Sequence, residues 1–78
     1  MATSYELYIR YTCPYCIKVL DFMEKRGITL PLRNISEDAV ALNTLRTVGG
    51  KQQVPCLFID GVPLYESEDI IAYLDKAF

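Results

Sequence analysis

Apolar and aromatic residues crowd positions 5–11, with Glu6 and Arg10 interspersed, and predict a buried strand. From Pro14 the period changes. Ile17, Val19, Leu20, Phe22 and Met23 recur as on an amphipathic helix, and Gly27 ends it. Pro14 suits the first helical turn, where its missing N–H is not needed. Residues 30–35 predict a short second strand, with Pro31 near its start, a place that an edge strand tolerates. Ser36-Glu37-Asp38 is a helix-start signature. Val40, Leu42, Leu45 and Val48 carry that helix to Gly49-Gly50. Residues 56–60 predict a third strand, Asp60-Gly61 a hairpin turn, and residues 62–65 a fourth strand. Ser67, Glu68 and Asp69 open a last helix whose apolar positions are Ile70, Ile71, Ala72, Tyr73 and Leu74. The order is β-α-β-α-β-β-α, an α/β chain with a four-stranded mixed sheet and three helices. Its first β-α-β unit is expected to be parallel and right-handed.

Length and composition narrow this picture. The 78 residues, 51% hydrophobic, suffice for a single domain over 1–78 with one modest core. A net charge of −2 argues against nucleic acid as a partner. No apolar run approaches the length that spans a bilayer, so no membrane association is expected. Residues 1–6 lack the basic and apolar regions of a signal peptide, which predicts a cytoplasmic protein. Three cysteines, an odd count, do not fit a disulfide scaffold. There is no histidine, which removes Cys–His catalysis and imidazole zinc sites. A zinc ion at the paired cysteines would need two further ligands, for which only Cys56 and carboxylates are available; no metal site is expected.

The chemistry concentrates in Cys13-Pro14-Tyr15-Cys16, at the junction of the first strand and first helix. A helix N-terminus offers unpaired N–H groups and the positive end of the macrodipole, both of which favour a thiolate. The thiolate is the nucleophile in disulfide exchange. Cys13 is therefore the candidate attacking group. Cys16, one turn further on, is the candidate resolving thiol, able to close an intramolecular disulfide. Cys56, at a strand start, is expected to be a small buried hydrophobe.

The Cys-Pro-Tyr-Cys sequence, Val54-Pro55, and the hairpin followed by an acidic helix start, taken in order over residues 5–74, resemble the glutaredoxins, small dithiol members of the thioredoxin superfamily. The resemblance implies a thioredoxin-like fold and a glutathione-dependent thiol–disulfide oxidoreductase acting on glutathione mixed disulfides and protein disulfides. It implies a cis Val54-Pro55 bond against the cysteines, which would leave the Val54 backbone to pair with an extended peptide-like substrate. Arg10 and Lys51 match cationic positions for the glycyl carboxylate of glutathione, and Arg10 would also lower Cys13. Gln53 adds a hydrogen bond, and Tyr15 shapes the groove. At the other end the final helix N-terminus and Ser67 would take the γ-glutamyl carboxylate, with Glu68 or Asp69 on the ammonium. Ser67 and the acids fit equally as a helix cap and its dipole complement.

One stretch departs from the common pattern. Many glutaredoxins carry Gly-Gly before the last helix; here the run is Tyr65-Glu66-Ser67-Glu68-Asp69. Its Glu66-Ser67 is similar to the γ-glutamyl site of the glutathione transferase N-terminal domain. Glutathione is the expected co-substrate, with no tightly bound cofactor. The expected partners are disulfide-containing or glutathionylated proteins, met by a monomer. Two other readings share the resemblance. One is a redoxin reduced by a flavoprotein reductase; the other is a dimer binding a glutathione-ligated [2Fe–2S] cluster.

Overall fold

A computed structural model describes residues 3–78; Met1 and Ala2, where the reading of a missing signal peptide begins, lie outside the described residues. The elements are β1 (Tyr5–Ile9), α1 (Pro14–Arg26), β2 (Leu32–Asn34), α2 (Ala39–Thr47), β3 (Cys56–Ile59), β4 (Val62–Tyr65) and α3 (Ser67–Ala77). The order matches the expectation. The sheet runs β2-β1-β3-β4. β1 pairs parallel with β2, and the other two pairings are antiparallel.

Both faces of the central strands are covered, which explains their nearly unbroken apolar sequences. The two-residue period sends Leu7 and Ile9 of β1, with Leu57 of β3, to one face. There they meet Cys16, Val19 and Met23 of α1 and Ile70 and Leu74 of α3. Tyr8, Cys56 and Phe58 point to the other face and meet Ala41 and Leu45 of α2. The sheet thus divides two apolar clusters, with α1 and α3 on one side and α2 on the other.

β1 is shorter than the predicted 5–11. Its parallel partner stops at Asn34, opposite Ile9, so residues beyond have no ladder to join. The chain turns instead, closed by a bond from Cys13 N–H to the Arg10 carbonyl at 3.0 Å, and Tyr11 is 56% exposed. β2 is an edge strand, as Pro31 suggested. The proline precedes the ladder and its carbonyl accepts from Leu7 N–H at 2.9 Å.

The inward face of α2 differs from the predicted one. Val40 and Val48 are 68% and 55% exposed, while Ala41 and Leu45, four residues apart, are buried. The helix begins at Asp38, whose carboxylate accepts from Val40 N–H at 3.0 Å and Ala41 N–H at 3.1 Å. Ser36 and Glu37 belong to the preceding turn. Likewise α1 turns Ile17 outward and ends at Gly27 (φ 68°), where Ile28 N–H reaches the Met23 carbonyl.

The β3–β4 hairpin closes on Asp60 (φ 49°) and Gly61 (φ 83°), both left-handed as a tight two-residue turn requires. Asp60 therefore belongs to the turn rather than to β3. β4 then passes into α3 through one residue. Glu66 makes the bend with φ 71° and serves as N-cap, so Ser67 is the first helical residue and not the cap. A non-glycine residue holds so sparsely populated a conformation at a cost of about 1–3 kcal/mol.

Candidate functional site

Three segments converge at one end of the sheet: the start of α1, the loop 49–55, and the β4–α3 junction. Cys13 is the N-cap of α1 in extended conformation, with Pro14 in the first turn. Its thiol is half-buried, 4.0 Å from the Val54 carbonyl oxygen. The Val54–Pro55 bond is cis. Cys16 lies one turn along and is buried. All three cysteines are free thiols.

The two helix cysteines are electrostatically unequal. Burial pushes the Cys13 thiol up, but the Cys16 N–H and thiol, the Tyr15 N–H and the Arg10 guanidinium together outweigh it. The net result is a thiol below its ordinary value. No first-turn N–H forms a strict capping bond to the Cys13 side chain, so the effect is that of dipoles directed at the sulfur. Burial dominates at Cys16 and, with the neighbouring Cys13, pushes it up to about 11. The two thiols are thereby distinguished by position, the one at the helix start lowered and the one inside raised.

Cys56 sits in the α2-side cluster, and burial pushes it up to about 11 as well. A thiol raised in the fold binds its proton more tightly there than in the unfolded chain, whose thiols titrate near about 8.5. Its contribution to stability is present below that pH and is lost as pH rises toward the folded value. Chemical denaturation at pH 8 and pH 10 is expected to show a fall in stability. Cys56→Ala should make that fall smaller; an unchanged fall would mean that Cys56 does not titrate this way.

Beside the cysteines runs a groove of about 570 Å³. Tyr15 and Lys18 of α1 form one wall, Gln53, Val54 and Pro55 the floor, and residues 66–69 the far wall. Eight residues singled out in the sequence meet here: Tyr15, Gln53, Val54, Pro55, Glu66, Ser67, Glu68 and Asp69. Ser67 is 8% exposed. Glu66 makes no side-chain capping bond, so no side chain of the N-cap claims the first-turn N–H groups of α3. Its carboxylate instead accepts from Gln53 Nε2 at 3.1 Å.

Arg10 and Lys51 are not part of the groove lining. Arg10 lies at the end of β1 and acts through its charge on Cys13. The Lys51 ammonium is 4.5 Å from the centre of the Tyr65 ring. The cation that does line the groove is Lys18, with Nζ 3.7 Å from Glu68 Oε1. Sequence reasoning missed it. The available signal was spacing: Lys18 follows Tyr15 by three residues and so shares its helix face.

Comparison with known proteins places this arrangement among related chains. The family model for glutaredoxin matches residues 5–64. A probable glutaredoxin of Synechocystis is 30% identical over 78 residues, spanning 99% of this chain and 88% of that protein. Glutaredoxin 3 of Escherichia coli is 27% identical over 67 residues, spanning 86% and 81% of the two chains. Among solved structures, glutaredoxin 2 of Salmonella typhimurium in complex with glutathione aligns with a TM-score of 0.79 at 29% identity. That alignment covers 97% of this chain and 34% of the longer one.

Proposed function

The chain belongs to the glutaredoxin family and is a glutathione-dependent thiol oxidoreductase, and on that premise we propose that it works through a Cys13/Cys16 dithiol on glutathione mixed disulfides and protein disulfides. The observation that carries this reading is the asymmetry of the pair. Cys13 is accessible, at the helix start and lowered, while Cys16 is buried and raised.

In the first step the Cys13 thiolate attacks the glutathione sulfur of a mixed disulfide. A Cys13–glutathione disulfide forms and the other thiol leaves as a thiolate, which takes a proton from water. Glutathione thiolate then attacks the glutathione sulfur of that intermediate. Glutathione disulfide leaves and Cys13 returns as thiolate, so one glutathione is consumed for each mixed disulfide reduced, the other half of the product coming from the substrate. With a protein disulfide, the Cys13 thiolate attacks one sulfur and the other leaves as a thiolate that takes a proton; Cys16 then loses its proton and attacks the Cys13 sulfur of the mixed disulfide. The protein thiol departs and a Cys13–Cys16 disulfide remains, to be reduced by glutathione.

The groove supports glutathione as the ligand, as found in the Salmonella relative. Val54 would pair its backbone with the peptide, Pro55 and Tyr15 would pack against it, and Gln53 would hydrogen-bond to it. The α3 N-terminus with Ser67 would hold the γ-glutamyl carboxylate, and Glu68 or Asp69 the ammonium. Glu66-Ser67 would serve as the γ-glutamyl element. Arg10 and Lys51 would act on the glycyl carboxylate only from outside the groove lining, while Lys18 offers a charge within it. We further propose a single-domain monomer acting in the cytoplasm, where thiols stay reduced. No helix among the described residues is long and apolar enough to cross a membrane.

The test is turnover of a glutathione mixed disulfide with glutathione and its reductase. The wild type is expected to be active. Cys16→Ser should keep that activity to within about threefold, because the step it removes is off the monothiol route. The same variant should lose protein-disulfide reduction by the intramolecular route. Absence of glutathione-dependent turnover in the wild type would reject the proposal.

A further inference from the structure

Tyr65 is the last residue of β4 and plays no part in the chemistry above. Its hydroxyl shares its proton between two carbonyls of the loop before the cis proline, Gly49 O at 2.9 Å and Lys51 O at 3.1 Å. The fit is close. A Cβ on Gly49 would lie 2.5 Å from that hydroxyl and 2.5 Å from the Leu45 carbonyl, so glycine is what lets the loop approach. The Lys51 ammonium covers the ring of the same tyrosine at 4.5 Å. The next residue, Glu66, holds Gln53 Nε2 at 3.1 Å from its left-handed position. Residues 49–53 belong to no helix or strand, yet they are fastened to residues 65 and 66 by hydroxyl, ring and carboxylate. Immediately after them comes Val54, which lines the groove and presents its carbonyl to Cys13.

We propose that Tyr65 is a positioning residue for substrate binding: its hydroxyl holds the 49–53 loop so that Gln53 and the Val54 backbone face the groove in binding geometry. This rests on the reading of the groove as the glutathione site. It also gives Lys51 a role in bracing the loop against Tyr65. Burial raises the Tyr65 hydroxyl above its ordinary value, so it remains a donor throughout the working pH range. A loop that must be ordered on binding weakens affinity, and one ordered beforehand does not. The effect therefore belongs in KM, not in the chemical step.

The experiment is Tyr65→Phe, which keeps the ring under Lys51 and the packing of β4 while removing the hydroxyl. KM for a glutathione mixed disulfide is expected to rise about fivefold, the size of one lost hydrogen bond, with kcat within about twofold of the wild type. Amide hydrogen exchange over residues 50–54 should accelerate by a similar factor of about five, with β3 and β4 unaltered. An unchanged KM in the variant beside an active wild type overturns the positioning role and leaves the glutathione reading intact. A uniform acceleration of exchange through the sheet also overturns it, since Tyr65 would then only stabilise the fold. A wild type with no glutathione turnover rejects the functional reading, and unchanged exchange over 50–54 rejects the clamp with no reference to activity.

Discussion

Cys13→Ser is expected to abolish glutathione-dependent turnover, lowering kcat/KM by about a thousandfold or more. The substitution is nearly isosteric at a half-buried helix cap, so the fold should survive it. What disappears is the one thiol that its surroundings hold below the ordinary value. A serine hydroxyl at the same place meets the same dipoles but has far too high a pKa for them to ionise it. There is no histidine in the chain to act as a general base for it. Cys16 cannot substitute, because it is fully buried and burial, the main cause of its raised value, persists in the variant. The assay is steady-state turnover of a small glutathione mixed disulfide, run beside Cys16→Ser and Cys56→Ala. Wild-type rates in Cys13→Ser would place the nucleophile elsewhere.

The legible part of this protein is the part that local physics determines. A two-residue or helical period, a proline at a helix start, and a glycine just after a helix all act over a few residues. Hence the element order, the Gly27 stop and the Asp60-Gly61 turn could be read directly. The cysteine pair was legible for the same reason, since its chemistry follows from a helix terminus. What was not legible depends on the far side of the fold. Ala41 rather than Val40 faces the core because Asp38 begins α2 and sets its phase. Composition favours the larger valine, so the pattern misleads. Lys51, read as a cation of the site, stands over the Tyr65 ring and outside the groove lining, a placement that depends on β4. Lys18 lines the groove because α1 and α3 pack side by side and set it opposite Glu68, a pairing distant in sequence. Glu66 takes a backbone conformation that glycine holds more easily, and no local preference of glutamate predicts it.

Alkylation should also separate the three thiols. At pH 7 a thiol with a value near 11 is ionised about once in ten thousand molecules. Cys16 and Cys56 both stand there, and both are buried. With limiting iodoacetamide, native protein should therefore be labelled at Cys13 at least about a hundredfold faster than at either other site. Peptide mass mapping reads the sites directly, and comparable labelling of Cys16 would contradict the assignment. The pH dependence carries a sign for each thiol. Below its own pKa a thiol's rate rises with pH. Cys13 should level off at lower pH than an ordinary thiol, while Cys16 should still be climbing. Burial is the main reason for the high value at Cys16, but the Cys13 thiol and its negative charge add to it. When Cys13 enters a mixed disulfide that charge is gone, and the Arg10 guanidinium still favours ionisation of Cys16. On the proposed dithiol route, loss of that charge would favour ionisation of Cys16 once Cys13 has reacted. In Cys13→Ser, labelling of Cys16 should accordingly begin at lower pH than in the wild type. An unshifted profile would mean that burial alone governs Cys16, and that the timing of resolution lies with access rather than charge.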